Sequence, residues 1–251
     1  MSSMMIGWIV FASVLGSALL VMFVRGILPE HHFSSESKDA VKLGIALIAT
    51  MTALVLSLLI ASAKSAFDTR SNQLGQTSAD IILLDRTLAH YGAEAKEARS
   101  LLRRSVAATV ERIWPEEGAR PLAVRSNATP VEDLYDKIEE LSPGNDEQRA
   151  LRSQALALTL SVARTRILLF ENLQTSIPVA FLLVLVFWVC IIFASFGLFA
   201  PRNATVIAVL SVCALSVSGA IFLILELDRS FEGLLQVSGT PLRTALAQIG
   251  H

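Results

Sequence analysis

The pattern of apolar and charged positions divides the chain into four long uncharged stretches and one charged block. The uncharged stretches are residues 1–24, 43–63, 172–201 and 203–225. Each is at least as long as the roughly 20 residues that a helix needs to cross about 30 Å of hydrocarbon. Soluble domains rarely contain even one such stretch. The pattern therefore predicts an all-α integral membrane protein with four transmembrane helices.

Prolines and capping residues set the expected bounds of these helices. Pro29 follows the first apolar stretch, and Pro178 is placed where a proline is tolerated, in the first turn of the third helix. The first stretch has no basic region before it and no small-residue cleavage site, which favours an uncleaved helix over a signal peptide. We expect transmembrane helices at residues 5–28, 43–63, 177–200 and 204–226.

The sequence LFAPRNATV separates the third and fourth apolar stretches. A single helix through both would be about 70 Å long, more than twice the thickness of the hydrocarbon core. Pro201 disfavours helical geometry at the residue before it, and Asn203 is a good N-cap. Arg202 is expected in the headgroup layer. The segment is predicted to be a tight turn between two membrane helices.

The charged block, residues 64–175, holds 15 of the 21 Lys and Arg and 16 of the 22 Asp and Glu. It is predicted to be a large helical domain inserted between the second and third membrane helices. Its first part carries apolar positions at spacings of 3 and 4 over nearly three heptads. These positions are Leu74, Thr77, Ile81, Leu84, Leu88 and Tyr91. We expect helices of the same domain to cover most of this seam, and subunit contacts to cover the rest.

The seam continues the second membrane helix in register, so one helix is predicted to run from the membrane to about Gly92. Three more helices are expected in the domain, at residues 93–114, 129–141 and 146–173. Thr129 with Glu132 reads as a capping box. Residues 227–251 are expected to form an interfacial C-terminal tail.

The topology places both chain ends on the same side of the membrane as the charged domain. Near the membrane, six Lys and Arg lie on that side and four on the side of the short loops. The positive-inside rule thus favours cytoplasmic termini and a cytoplasmic 64–175 domain, although the uncharged N-terminus points the other way. The expected location is the bacterial inner membrane, with the lipid bilayer as the immediate partner.

The sequence offers little for catalysis. The chain is 53% hydrophobic and 17% charged, with a formal net charge of -1. It contains no HExxH, GxSxG, P-loop or GxGxxG sequence, and the uncharged stretches hold no carboxylate for a proton relay. We expect no enzyme, no cofactor, no metal and no nucleic-acid partner.

His31 and His32 beside Glu30 leave metal binding open, but structural roles are favoured. Cys190 and Cys213 are interpreted as packing residues.

Small and hydroxylic residues recur along the second membrane helix at spacings of 3 and 4. They are Ala46, Thr50, Ala53, Ser57 and Ala61, followed by Lys64. A stripe of this kind is typical of close helix packing in lipid. It is also typical of a pore lining, with Lys64 at the inner mouth, where a ring of cations would favour anions. Both interpretations stay open, and these six residues are the pore-lining candidates.

Three runs of the sequence resemble a bacterial family of uncharacterised membrane proteins with a bestrophin-like domain. The runs are LPEHHFSSESKDAVKLGIALIATMTALVLSLLIASAKSAFDT, LLDRTLAHYGAEAKEARSLLRR and SIPVAFLLVLVFWVCIIFASFGLFAPRNATVIAVLSVCALSVSGAIFLILELDRSFEGLLQVSGTPLR. Bestrophins are pentameric channels with four membrane helices, a helical cytoplasmic part after the second helix, and a pore lined by that helix. The chain departs from them after its fourth helix, where only Glu226, Asp228 and Glu232 stand in place of an acidic calcium-binding run. Its second helix also lacks aromatic neck residues.

Two hypotheses about function follow. In the first, the chain is a bestrophin-like homo-oligomeric ion channel, pentameric by resemblance, which conducts inorganic ions and prefers anions. In the second, it is a non-conducting membrane scaffold or regulator whose helical domain binds a partner. Stoichiometry and conductance distinguish the two, because a monomer of four helices without an internal polar path can hardly conduct.

Overall fold

The structure, a computed structural model, describes residues 2–25, 35–114, 130–171, 178–229 and 234–250. Within these ranges every regular element is helical, as predicted. The helices are α1 (Ser3–Val24), α2 (Ser35–Tyr91), α3 (Lys96–Ile113), α4 (Pro130–Glu139), α5 (Asp146–Glu171), α6 (Val179–Phe199), α7 (Ala204–Asp228) and α8 (Thr240–Gln248), with a 3-10 turn at Ala93–Ala95. The predicted positions Pro29, His31, His32 and Thr129 lie outside the described residues.

Among the described residues, four helices are long and apolar enough to cross a membrane, and they correspond to the four apolar stretches of the sequence. They are Ser3–Val24, Val41–Tyr91, Val179–Phe199 and Ala204–Asp228. The chain forms two compact units, one of residues 1–67 and 175–236, the other of residues 68–174 and 237–251. Helix α2 contributes to both, and Gly92, with a positive φ of 126°, follows its last residue.

In the first unit, α1 packs against both α6 and α7. Small residues allow α1 and α6 to lie close to each other. A Cβ atom at Gly197 would lie 2.1 Å from the carbonyl oxygen of Ala18, so only glycine fits at this crossing. Hydroxyl groups add contacts between helices: Ser218 Oγ donates to the carbonyl oxygen of Gly7 at 2.6 Å, and Ser17 Oγ donates to that of Cys190 at 3.1 Å. This is the packing expected of helices in lipid.

The turn between α6 and α7 has the predicted form. Helix α6 ends at Phe199, and Ala200, the residue before Pro201, is extended with ψ 144°. Asn203 is the N-cap of α7, and its side-chain oxygen accepts a hydrogen bond from the backbone N–H of Val206 at 2.8 Å. The chain therefore reverses between two apolar helices instead of continuing as one.

In the second unit, the seam of α2 is the core. Its six predicted positions are between 0% and 7% exposed: Leu74, Thr77, Ile81, Leu84, Leu88 and Tyr91. The prediction that helices of the same domain cover the seam is confirmed. The further prediction, that subunit contacts cover part of it, is wrong, because one chain already buries all six side chains.

The C-terminal residues belong to this second unit. Helix α8 packs against α3, and the indole N–H of Trp114 donates to the carbonyl oxygen of Val237 at 3.1 Å. The ring of Trp114 lies so close to Gly239 that a Cβ atom there would be 2.8 Å from it. Residues 237–250 are thus fixed to the end of α3 by an indole ring, a hydrogen bond and a glycine that leaves room for the ring.

Candidate pore-lining face

Helix α2 presents three different sides between residues 41 and 64. The first side packs within the chain: Thr52, Leu59 and Ala63 are between 1% and 8% exposed. The second side carries large apolar side chains that are between 65% and 74% exposed, namely Leu43, Leu47, Leu54 and Leu58. Exposed leucines on a helix of this length and hydropathy are what a lipid-facing surface requires.

The third side consists of the six residues predicted from the sequence. Ala46, Thr50, Ala53, Ser57, Ala61 and Lys64 are all exposed. At about 100° per residue they lie within about 80° of one another around the helix axis. Their mean direction is about 140° from the buried side and about 70° from the leucine side. The stripe therefore does not take part in the packing of this chain, and it borders the leucine side of the helix.

The two hydroxyl groups of the stripe hydrogen-bond within the helix. Thr50 Oγ1 donates to the carbonyl oxygen of Ala46, and Ser57 Oγ donates to that of Ala53, each at 2.8 Å. Each hydroxyl oxygen keeps lone pairs that can accept a hydrogen bond. The face is consequently small and weakly polar, and it holds no ionisable group before Lys64. It can receive a second helix at close range or border a narrow path for water and ions, but it offers no acid, base or nucleophile.

Lys64 lies at one end of the stripe. Its ammonium nitrogen is 5.8 Å from the centre of the Phe67 ring, a cation–π distance, and the residue is exposed. The Phe67 ring, which lies on the same helix less than one turn from Lys64, holds the ammonium group in place. A positive group at the end of an uncharged face can attract anions through Coulomb interaction.

The cysteines and the described histidine His90 do not converge on a site. Cys190 and Cys213 are both unpaired thiols; Cys190 is half-buried, whereas Cys213 is exposed and so does not pack within this chain. His90 hydrogen-bonds through a ring nitrogen to the carbonyl oxygen of Arg86 on its own helix, at 2.8 Å. Over the described ranges, no three His, Cys, Asp or Glu side chains form a group that could hold a metal ion. Glu30, His31 and His32 lie outside those ranges.

A groove in the second unit was missed by the sequence reasoning. It has a volume of about 820 Å³ and is bordered by α3, α4 and α5. Arg112 of α3 and Arg166 of α5 both line it, although 54 positions separate them in the chain. Neither position belongs to a motif, so the only signal in the sequence was two arginines close to predicted helix ends.

Burial and like charge act together on one of these arginines. Burial lowers the pKa of Arg166, and the neighbouring guanidinium of Arg112 lowers it further. Glu132 of α4 acts in the opposite direction and raises it, but by less than Arg112 lowers it.

Four apolar helices long enough to cross a membrane, one of them with an exposed face of small residues, are the features of a helical membrane protein. Residues 11–242 match a family model described as Bestrophin-like domain. The match covers most of the chain, so the protein belongs to the bestrophin-like family, as the resemblance of its sequence implied. This family is associated with ion channels and not with enzymes. Comparisons with curated proteins and with solved structures give no match.

Proposed function

We propose that the protein is an oligomeric ion channel whose pore is lined by the small-residue face of α2. The observation that carries the proposal is that this face is exposed and takes no part in the packing of the chain. Packing within the chain uses another side of α2, and bulky leucines occupy the side suited to lipid. Small and hydroxylic side chains at Thr50 and Ser57 are poor lipid contacts but allow a narrow aqueous path.

Several copies of the chain are needed to enclose such a path. One chain supplies one face of this kind, and a face becomes a lining only when it surrounds an axis. Closed rotational symmetry is the usual arrangement of membrane channels built from identical chains. Membership of the bestrophin-like family supports a homo-oligomer. Five copies are proposed from the resemblance to bestrophins.

The position of Lys64 supports a preference for anions. A ring of ammonium groups would stand where the uncharged lining ends, and it would attract anions and repel cations. On this proposal the protein crosses the bacterial inner membrane four times. Its N- and C-termini and the 64–175 domain are then in the cytoplasm, so that Lys64 borders the cytoplasmic mouth.

Cysteine accessibility tests the lining. Single cysteines are introduced from residue 46 to residue 64 of a chain in which Cys190 and Cys213 are alanine, and a membrane-impermeant thiol reagent is added to proteoliposomes. Thr50→Cys, Ala53→Cys and Ser57→Cys should react, because they face water. Leu54→Cys on the leucine side and Leu59→Cys on the buried side are the matched controls and should stay protected. Equal protection at all positions would contradict the pore.

Conductance and mass test the channel itself. The purified protein in planar bilayers should give currents whose reversal potential in a salt gradient reports anion preference. Lys64→Glu should move that potential towards cation preference, whereas Lys42→Gln, near the opposite end of the apolar part of α2, should move it much less. Native mass spectrometry from nanodiscs should give a multiple of the 27.1 kDa chain. A monomeric mass without currents would leave the scaffold hypothesis.

A further inference from the structure

Two adjacent leucines that follow α7 are exposed on the surface of the chain. Leu234 is 73% exposed and Leu235 is 40% exposed. Val237, two positions later, is 2% exposed, so the exposure is confined to a short segment. Apolar surface in water is unfavourable in proportion to its area. The two leucines therefore form a small apolar surface that is stabilised when water leaves it.

A buried carboxylate fixes the position of this segment. The backbone N–H of Leu234 donates to Glu226 Oε2 at 2.7 Å. Glu226 is 4% exposed and lies in the last turn of α7, which ends at Asp228. A hydrogen bond to an ionised carboxylate is strong, and a buried oxygen that loses its donor is costly. The chain that leaves α7 is thus tied back to the last turn of α7 at Leu234.

The last turn of α7 is also where the uncharged part of this helix ends. Residues 203–225 contain no charged side chain, and Glu226 follows them directly. Leu223, less than one turn before Glu226, is 50% exposed. The apolar outer surface of α7 therefore reaches the level at which Leu234 is held.

Helix α1 has an exposed tryptophan at the same end of the first unit. Arg202, just before α7, donates to the carbonyl oxygen of Met22, near the end of α1. Ser218, in the second half of α7, donates to that of Gly7, near the start of α1. The two helices are therefore antiparallel, and the start of α1 lies beside the later part of α7. Trp8 is 62% exposed there, and tryptophan is enriched where a membrane meets water.

We propose that Leu234 and Leu235 insert into the boundary layer of the lipid bilayer, between headgroups and acyl chains, and that Glu226 positions them. A stable protein interface uses about 20–30 residues on each side, whereas a bilayer accepts single apolar side chains without a matching surface. This anchor requires α7 to cross the membrane, as in the proposed topology, but it does not require conduction. Within the tail predicted at residues 227–251 to be interfacial, it is confined to these two positions.

Spin labels test whether the two leucines meet lipid or water. Single cysteines replace Leu234 or Leu235 in the full chain, in which Cys190 and Cys213 are alanine, and the labelled protein is placed in phosphatidylcholine–phosphatidylglycerol vesicles. Molecular oxygen concentrates in lipid, and the polar chelate nickel–EDDA stays in water. EPR measures how often each collides with the label. Both labels should collide readily with oxygen and about tenfold less often with nickel than a label in water does, because apolar surroundings exclude the chelate.

Two positions are the matched controls. Leu215→Cys lies on α7, where Leu215 is 56% exposed, and its label should collide with oxygen and hardly with nickel. Ser153→Cys lies on α5, where Ser153 is exposed in the second unit, and its label should collide readily with nickel. The labels at Leu234 and Leu235 should resemble the first control in their low nickel collision rate.

Substitutions at both ends of the hydrogen bond test the positioning role of Glu226. Glu226→Gln keeps an oxygen that can accept from Leu234, so the collision rates of the label there should not change. Glu226→Ala removes the acceptor and should raise the nickel collision rate severalfold. Leu234→Pro, measured with a label at Leu235, removes the donor and leaves the carboxylate, and it should act in the same direction. Thermal unfolding identifies the variants that keep their fold.

Three results would overturn the proposal. Nickel collision rates at Leu234 and Leu235 equal to that at Ser153 would place both side chains in water. Low collision rates with both oxygen and nickel would mean that protein, such as a second copy of the chain, covers them. Equal rates in Glu226→Ala and Glu226→Gln would show that Glu226 does not position the segment. A label at Leu215 in water would reject the four-span arrangement as well, whereas a label there in lipid would confine the failure to the anchor.

Discussion

Arg25 and Arg202 cap each other's helices: Arg25, after α1, caps the end of α6, and Arg202, after α6, caps the end of α1. Arg25, which follows α1, donates through Nη1 to the carbonyl oxygen of Ala200, at the end of α6, at 2.8 Å. Arg202, which follows α6, donates through Nε to the carbonyl oxygen of Met22 and through Nη2 to that of Phe23, at the end of α1, each at 2.9 Å. The last carbonyl groups of a helix lack partners and carry partial negative charge, so the two arginines satisfy both helix ends at once.

This exchange of caps predicts that two substitutions in the turn between α6 and α7 lower the stability of the protein by different amounts. Arg202→Leu removes the donors to α1 and should lower the free energy of unfolding by about 1–3 kcal/mol, as expected for hydrogen bonds from a charged group. Pro201→Ala should cost less, because Asn203 still caps α7. Thermal unfolding in detergent measures both variants, and Arg202→Lys serves as a control that keeps the charge without the planar fork. Equal stability of Arg202→Leu and Pro201→Ala would contradict the capping role.

The sequence predicted this turn but not the partners of its arginine. Pro201 and Asn203 act through local geometry, which is readable from neighbouring positions. Arg202 was expected in the headgroup layer, and nothing in the local sequence indicated that it donates to carbonyl groups 179 and 180 positions earlier in the chain. A contact over that separation depends on the packing of α1 against α6, and no local pattern specifies it.

The same distinction separates the two candidate sites. The stripe from Ala46 to Lys64 lies on one helix, so the helical repeat alone places its members on one face. The groove joins residues of three helices, and Arg112 meets Arg166 only after α3, α4 and α5 have packed. The seam from Leu74 to Tyr91 could also be predicted from the sequence, because it too lies on a single helix. Its complete burial within one chain depended on helices whose positions the spacing did not specify.

The crossing of α1 and α6 depends on a single glycine. Gly197→Ala would place a Cβ atom 2.1 Å from the carbonyl oxygen of Ala18, and backbone cannot move away as a flexible side chain can. We expect the two helices to separate and the protein to lose about 1–3 kcal/mol of stability through overpacking. Gly16→Ala on α1 is the matched control, since nothing lies within 4 Å of the added methyl group. Thermal unfolding should show no loss in the control, and equal behaviour of the two variants would refute the close crossing.

The C-terminal residues are held to α3 through Trp114. Gly239→Ala would bring a methyl group to 2.8 Å from the indole ring, and Trp114→Phe would remove the hydrogen bond to the carbonyl oxygen of Val237. Both changes should release residues 237–250 and increase hydrogen exchange in α8. Gly75→Ala, on an open part of α2, should leave exchange in α8 unchanged. Unaltered protection of α8 in both Trp114→Phe and Gly239→Ala would show that other contacts hold it.

The proposed topology predicts the side of three reporter fusions. A reporter at Gly118 and one at His251 should give the same side of the membrane, because two apolar helices lie between those positions. A reporter at Ser35 should give the opposite side, because one apolar helix separates it from Gly118. Alkaline phosphatase and green fluorescent protein fusions report the two sides in bacteria. Agreement between the reporters at Gly118 and Ser35 would exclude the four-span arrangement.

An ion pair between a buried carboxylate and a partly exposed guanidinium fixes the start of α3 against α2 in the second unit. Arg99 donates to both carboxylate oxygens of Asp85, at 2.8 and 2.9 Å, and the side chain of Asp85 is only 6% exposed. Asp85→Asn should cost about 1–3 kcal/mol, because it weakens two charge-assisted hydrogen bonds from Arg99, whose own side chain is partly exposed. The exposed pair of Arg149 and Asp146 is the matched control, and Arg149→Gln should cost less than about 0.5 kcal/mol.

The pair also predicts how stability depends on pH. The hydrogen bond from Arg99 to Asp85 and their attraction raise the pKa of the guanidinium above its usual value, against the opposing effect of burial. A raised folded-state pKa gives stability that is complete below the unfolded-state pKa and is lost only as pH rises through the folded-state value. The difference in unfolding temperature between the unaltered chain and Arg99→Gln should therefore stay constant from about pH 7 to about pH 10. Thermal unfolding across that range measures it. A difference that shrinks within this range would mean that a group other than Arg99 titrates at the pair.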